Sequence, residues 1–296
     1  MRNVFKSISD RCNREEMKKL IFFVLALVFV FSKDAPSASR DLLIFAGAAS
    51  KPATEEAIKS FRERTGIGVN VTFGGSGFVL SQMKLSQKGD LYFPGSSDFM
   101  EIAKKQGLVF PDSEKIIVYL VPAINVQKGN PKQIHALRDL IKDGVRVAIA
   151  NPAMVCAGLY AVEIIERNLS PAEKGRLRKN LVNYTESCEK TANFISLRAA
   201  DAVIGWRVFQ YWDPERIETV YLKREEIPRI GYIPVAVSRY TQDRARAQMF
   251  IDFLLSSEGK ATFRNFHYLM DPQEARRYTL SDTPVGGEYL LPGAWK

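Results

Sequence analysis

The sequence predicts an α/β protein of two lobes, each a mostly parallel sheet flanked by helices, with two hinge crossings between them. Three observations lead there. From residue 41 onward, short β-branched or aromatic runs alternate with amphipathic helical stretches, the pattern of successive βα units. Small-residue junctions separate each run from the helix that follows it. The 296 residues, 46% apolar and 25% charged, suffice for two ordinary cores and are too apolar for disorder.

In chain order, residues 42–45 make the first strand, and 55–64 follow as a helix with Ala57, Ile58 and Phe61 at helical spacing. Val69, Val71 and Phe73 alternate as a second strand. A helix beginning near Phe78 turns Leu80 and Met83 inward, and 91–93 start a third strand ahead of a helix over 99–106. Residues 118–126 read as one buried strand ending in Lys128, Gly129, Asn130 and Pro131, a strong turn signal where the chain is expected to change lobes. The second lobe then repeats the pattern: helix 134–142, strand 145–150, helix 158–167, a polar stretch over 170–179, strand 181–184, helix 191–198, and strands 202–206 and 218–222. Strand 230–237 returns to the first lobe, and 243–266 form a last long helix carrying Met249, Phe250, Phe253 and Leu254. The domains expected are therefore a leader over 1–40, a first lobe of 41–122 with 231–296, and a second lobe of 123–230. Two crossings make a hinge with a cleft between the sheets.

The N-terminus follows a different rule. Lys18 and Lys19 precede twelve apolar residues, 20–31, followed by the polar Ser32, Lys33 and Asp34. This is the shape of an export signal, and the run falls short of the about 20 residues of a spanning helix. Ala35, Ser37, Ala38 and Ser39 offer a cleavage region; an uncleaved leader would instead tether the chain to the membrane. No cysteine follows the run to carry a lipid. The expected location is the periplasm or cell surface.

Of the net charge of +9, residues 1–40 contribute +4, with eight Lys or Arg against four Asp or Glu. The remainder is mildly basic without a dense basic run, which favours anions and speaks against nucleic acid. Beyond the leader stand two cysteines, Cys156 and Cys188. An oxidising compartment permits a bridge between them, and a pair of inert buried thiols fits equally well. The two histidines, His135 and His267, lie in helical patterns and give no zinc-type spacing.

What sits between strand and helix points to a ligand. Ala46 to Ser50, Gly74-Gly75-Ser76-Gly77, Pro94-Gly95-Ser96-Ser97, residues 151–158 and Ser187-Cys188 all precede helices. Small residues admit close backbone approach, and first helical turns present unpaired N–H groups with partial positive charge. In an open α/β sheet such loops converge at the carboxyl ends of the strands. Taken singly, each has an ordinary explanation, since serine caps helices and glycine makes turns; five together suggest an anion site of neutral donors. Lys51, the basic residue among them, reads as a solvated helix-end residue, and the spacing of a nucleotide-binding P-loop is missing.

The stretches FAGAASKP, VTFGGSG and DLYFPGSSDFMEIAKKQGLV resemble the first lobe of the periplasmic molybdate-binding proteins of ABC importers, of the type II solute-binding class. RVAIANPAMVCAGLYAVEII and DAVIGWRVF resemble that family's second lobe, and FIDFLLSSEGKATFRNF its closing helix, so the likeness runs from about residue 41 to 270 in one order. The resemblance implies a two-lobed binding protein, not an enzyme, without a cofactor, that holds molybdate or tungstate as an oxyanion and hands it to a membrane permease while remaining a monomer. Ser50 and Ser76 match the family's serine donors, Ala157 and Cys188 its backbone N–H donors. Trp206 stands where the family has a donating tyrosine; an indole N–H is longer and differently placed, and packing in the core is the alternative. Ser96 aligns more loosely with a further small residue. Some archaeal relatives add carboxylates to the metal; Glu186, Glu189 and Asp201 lie near the corresponding segments, with no spacing that compels this.

Two other readings stay open at this stage. One is a binding protein for another oxyanion, sulfate or phosphate. The other is an exported serine hydrolase using Ser50 or Ser76, which would need a base held within reach of the hydroxyl.

Overall fold

A computed structural model describes residues 40–295. The expected leader and its cleavage region lie outside the described residues, up to position 39. Among the described residues, no helix is long and apolar enough to cross a membrane.

The first sheet holds β1 (Leu42–Gly47), β2 (Val69–Gly74), β3 (Leu91–Phe93), β4 (Lys115–Leu120) and β10 (Gly231–Val237) in the order β2-β1-β3-β10-β4. β1 runs parallel to β2 and β3, whereas β10 is antiparallel to β3 and β4. The second sheet holds β5 (Pro122–Gln127), β6 (Val147–Ala150), β7 (Leu181–Thr185), β8 (Ala202–Trp206) and β9 (Ile217–Val220) in the order β7-β6-β8-β5-β9. There β6 is parallel to β7 and β8, while β5 is antiparallel to β8 and β9. The chain forms the expected α/β class, each of its two five-stranded sheets being mixed, with two parallel and two antiparallel pairings. Central strands β3 and β8 are buried along their whole length, as strands covered on both faces must be.

The first lobe carries α1 (Lys51–Thr65), α2 (Ser76–Ser86), α3 (Ser97–Lys105), α7 (Arg244–Leu255) and α8 (Ser257–Asn265); the second carries α4 (Cys156–Asn168), α5 (Pro171–Asn180) and α6 (Cys188–Ser196). Phe61 of α1 meets Phe250 and Phe253 of α7 edge-on at 5.1 and 5.5 Å, which welds that face of the first core.

Four details differ from the sequence expectation. The strand expected over 118–126 is two strands, and the chain changes sheets at Val121, ahead of the turn at Lys128–Pro131. Pro122 has no N–H for a ladder and so begins a new strand, paired with Trp206. The polar stretch over 170–179 is α5: Ser170 accepts from the Glu173 N–H, the Glu173 carboxylate accepts from the Ser170 N–H, and Pro171 opens the helix. The helix expected over 134–142 is a 3-10 turn at Leu137–Ile141, because Asn130 ties both N–H and C=O of Ile134 into a loop. The last long helix breaks at Ser256, whose hydroxyl caps α8 by accepting from the Gly259 N–H at 3.2 Å.

The C-terminal tail also departs from the assignment of 231–296 to the first lobe. Ala275 and Trp295 pack into the second core, and Trp295 Nε1 donates to Glu166 at 2.8 Å. Gly287 and Tyr289 meanwhile bond Ser97 and Asp98 of the first lobe. The tail straddles both lobes because its apolar residues find unfilled surface on the second core.

Candidate functional site

Each junction loop delivers its residue to the face where the two lobes meet. β1 ends in Gly47, a 3-10 turn follows, and Ser50 is the residue before α1. Ser50 does not cap that helix; instead its Oγ accepts from Thr54 Oγ1 at 3.0 Å. Ser76 opens α2, and its Oγ accepts the Gly95 N–H at 2.9 Å. In both serines an oxygen lone pair is occupied by a neighbour, so the hydroxyl proton is left to donate elsewhere. Ser96 precedes α3 without capping it, and its Oγ is buried with no partner.

From the second lobe, Ala157 is the second residue of α4 and Cys188 the first of α6. Trp206 ends β8, fully buried. The first turns of α1, α2, α3 and α4 all lack a side-chain cap, so their partial positive charge is not answered by a capping side chain. Ser187 is the exception, a conventional cap bonded to the Lys190 N–H.

These pieces converge. A Cβ built on Gly47 would stand 2.6 Å from Gly95 N and 2.8 Å from Ser76 Oγ, and one on Gly95 would stand 2.4 Å from Cys156 Sγ and 2.9 Å from Ala49 Cβ. Glycine at 47 and 95 is what allows that approach. Cys156 Sγ in turn lies 3.6 Å from Cys188 Sγ, and both thiols are free. Burial pushes the Cys188 thiol well up, and the neighbouring Cys156 adds to this, while the Ala157 N–H and the Trp206 indole oppose it. Trp206 Nε1 has no hydrogen-bond partner of ordinary geometry. Ser50, Ser76, Ser96, Ala157, Cys188 and Trp206 are each at most 1% exposed. The structure thus brings the six residues singled out from sequence to one buried seam.

The lobes meet closely around it. Gly77 N–H donates to the Met154 carbonyl across the seam at 2.8 Å, and Lys51 pairs with Glu189 at 2.7 Å. Lys51, expected as a solvated helix-end residue, is therefore a contact between lobes. A cavity of about 240 Å³ opens beside this pair, lined also by Asn193, Trp212 and Asp213.

Other candidates are engaged elsewhere. Glu186 pairs with Lys190, Glu189 with Lys51 and Asp201 with Arg146, so each carboxylate considered for a metal already has a cation. Among the described residues no group of three or more His, Cys, Asp or Glu could hold a metal ion. His135 is exposed and bonds Gln133, and His267 stacks on Tyr211 at 3.9 Å. The hydroxyl contacts of Ser50 and Ser76 described above include no base. Sequence reading passed over Tyr160, which lies one helical turn beyond Cys156 and Ala157 and packs edge-on against Trp206 at 4.7 Å. Its spacing was the available signal.

Comparison with known proteins identifies the family. Residues 42–269 match the family described as bacterial extracellular solute-binding protein. The molybdate-binding protein of Escherichia coli is 23% identical over 84% of this chain and 96% of its own. A sulfate-binding protein of Synechococcus elongatus is 30% identical over 73% of this chain and 69% of its own. Among solved structures, the periplasmic molybdate-binding protein of Azotobacter vinelandii superposes with a TM-score of 0.68 at 17% identity, covering 78% of this chain and all of that one (100%), a likeness of fold. Two mixed five-stranded sheets with a seam of uncapped helix starts between them, matched over most of the chain, place this protein in the family of bacterial extracellular solute-binding proteins.

Proposed function

We propose that this chain is the binding component of an ABC importer for a fully ionised tetrahedral oxyanion, molybdate or tungstate, held between the lobes by Ser50 and Ser76 hydroxyls and by backbone N–H groups at Ala157 and Cys188. The observation that carries this reading is the seam itself: uncapped helix N-termini from both lobes and serine hydroxyls from the first meet in one buried place. Neutral N–H and O–H donors suit a dianion with no proton of its own, because every oxygen of such a ligand is free to accept. In a water-poor site such bonds to a charged acceptor are the strong ones. Ligand capture explains the two serines better than catalysis, since a hydroxyl nucleophile needs a base beside it.

Sulfate is the second reading, and the sulfate-binding relative at 30% identity favours it. Both dianions would use the same donors, but sulfate is smaller and would leave them stretched. The chain is further read as exported by its leader, monomeric, and delivering its ligand to an inner-membrane permease. Calorimetric titration of the chain from residue 41 with molybdate, tungstate, sulfate and phosphate tests the assignment. Tighter binding of molybdate and tungstate than of sulfate supports it, and preference for sulfate transfers the site to the second reading.

A further inference from the structure

Like Ser96 Oγ and Trp206 Nε1, the Tyr160 hydroxyl, on a residue 1% exposed, is a buried polar atom with no hydrogen-bond partner. Folded chains seldom bury a hydroxyl in this state, because the lost hydration is not replaced. Tyr160 sits on α4 three residues after Ala157 and four after Cys156, hence on their face of the helix. Helical side chains lean toward the N-terminus, which carries the Tyr160 ring over the turn that presents the Ala157 N–H.

The ring is held in place on two sides. It packs edge-on against Trp206 with centroids 4.7 Å apart and planes at 62°. The Arg229 guanidinium lies 4.0 Å from its centroid. Arg229 is itself fixed by Glu163 at 2.6 Å, by Asp98 at 2.9 Å and by the Gly287 carbonyl at 2.8 Å. With two carboxylates on it, and Arg167 on Glu163 at 2.8 Å, the guanidinium has its charge answered locally. Arg229 therefore orients the ring rather than holding an anion.

We propose that Tyr160 is a ligand-binding residue of this site, its hydroxyl donating to an oxygen of the tetrahedral dianion beside the Trp206 indole N–H and the Ser96 hydroxyl. The inference rests on the function proposed above and extends its donor set to a side chain that the sequence comparison did not assign. Burial pushes the phenol's pKa well above its ordinary value, only partly opposed by Arg229, so the group keeps its proton at neutral pH and can donate it. A tyrosine clamped between an indole and a guanidinium loses little freedom on binding, which makes its hydrogen bond effective.

Tyr160→Phe removes the hydroxyl and leaves the ring. Two readouts are taken together: calorimetric affinity for molybdate, tungstate and sulfate, and the melting temperature of the ligand-free chain. The expected result is a loss of at least about tenfold in affinity for whichever dianion the unaltered chain binds, with a ligand-free melting temperature unchanged or raised, because an unpartnered hydroxyl contributes nothing to the ligand-free fold. Equal affinity in both proteins overturns this inference and leaves the proposed function standing. A ligand-free melting temperature lowered by several degrees also overturns it, since the hydroxyl would then have a structural partner. Failure of the unaltered chain to bind any of the three overturns both.

Discussion

Gly77 N–H and the Met154 carbonyl are hydrogen-bonded across the seam at 2.8 Å, one in the first turn of α2 and the other in the loop before α4. The two lobes are thus joined by main chain beside the candidate donors. The neighbouring Gly75 also lies against the second lobe: a Cβ there would stand 2.8 Å from both the Met154 and Glu186 carbonyl oxygens.

Gly75→Ala should therefore hold the lobes apart without harming either one. Its backbone, at φ −62° and ψ 140°, suits alanine as well as glycine. The ligand-free melting temperature should stay within about 2 °C of the unaltered chain, on the order of the shift that surface-type changes give. Oxyanion affinity should fall by tenfold or more, since about 1.4 kcal/mol of strain in the closed form is enough for that. Small-angle scattering with saturating ligand should show less compaction; equal compaction and affinity would mean the seam has slack.

Ser50 and Ser76 should separate in their effects on stability. Ser76→Ala strands the buried Gly95 N–H and should destabilise the ligand-free chain by about 1–3 kcal/mol in urea unfolding. Ser50→Ala leaves Thr54 a hydroxyl that can rotate, so the cost is smaller. The double variant should lose several kcal/mol of oxyanion binding by calorimetry, at about 1.5–3 kcal/mol for each bond to a charged acceptor. Unchanged affinity would remove both side chains from the site.

Cys156 and Cys188 present their sulfurs 3.6 Å apart, against about 2.05 Å in a disulfide. Alkylation of the denatured chain from residue 41, followed by mass measurement, should count two thiols. In the native chain both should react slowly at neutral pH, because they are buried and burial holds Cys188 in its unreactive thiol form. Saturating oxyanion should slow them further. A count of zero would mean that the pair closes on export.

Lys51 and Glu189, with side chains 28% and 41% exposed, form a solvent-screened link between lobes. Lys51→Ala or Glu189→Gln should weaken ligand binding by no more than about fivefold, the equivalent of about 1 kcal/mol, and the difference should shrink in high salt. A larger effect would make Lys51 a direct partner of the anion.

Much of the fold was written in local pattern. Alternation of β-branched runs with helical spacing located the strands approximately, save that β4 and β5 read as one run over 118–126. The small-residue loops likewise marked Ser50, Ser76, Ser96, Ala157 and Cys188 as neighbours. Two differences have causes readable in the sequence: Pro122 announces a strand start, and Ser170-Pro171-Ala172-Glu173 within the polar stretch is a capping box that opens a helix. Others were not local at all. The tail's return to the second core depends on where apolar surface is left over, and the Tyr160 hydroxyl stands out only once its surroundings are known to offer it no partner.

Crystals grown with tungstate and measured at the tungsten absorption edge would test most directly that both lobes share one oxyanion. The predicted map has a single strong anomalous peak at the seam, with oxyanion oxygens within hydrogen-bond distance of Ser50 Oγ, Ser76 Oγ and the Ala157 N–H. A peak confined to one lobe's surface, or a seam empty at saturating tungstate, would contradict it.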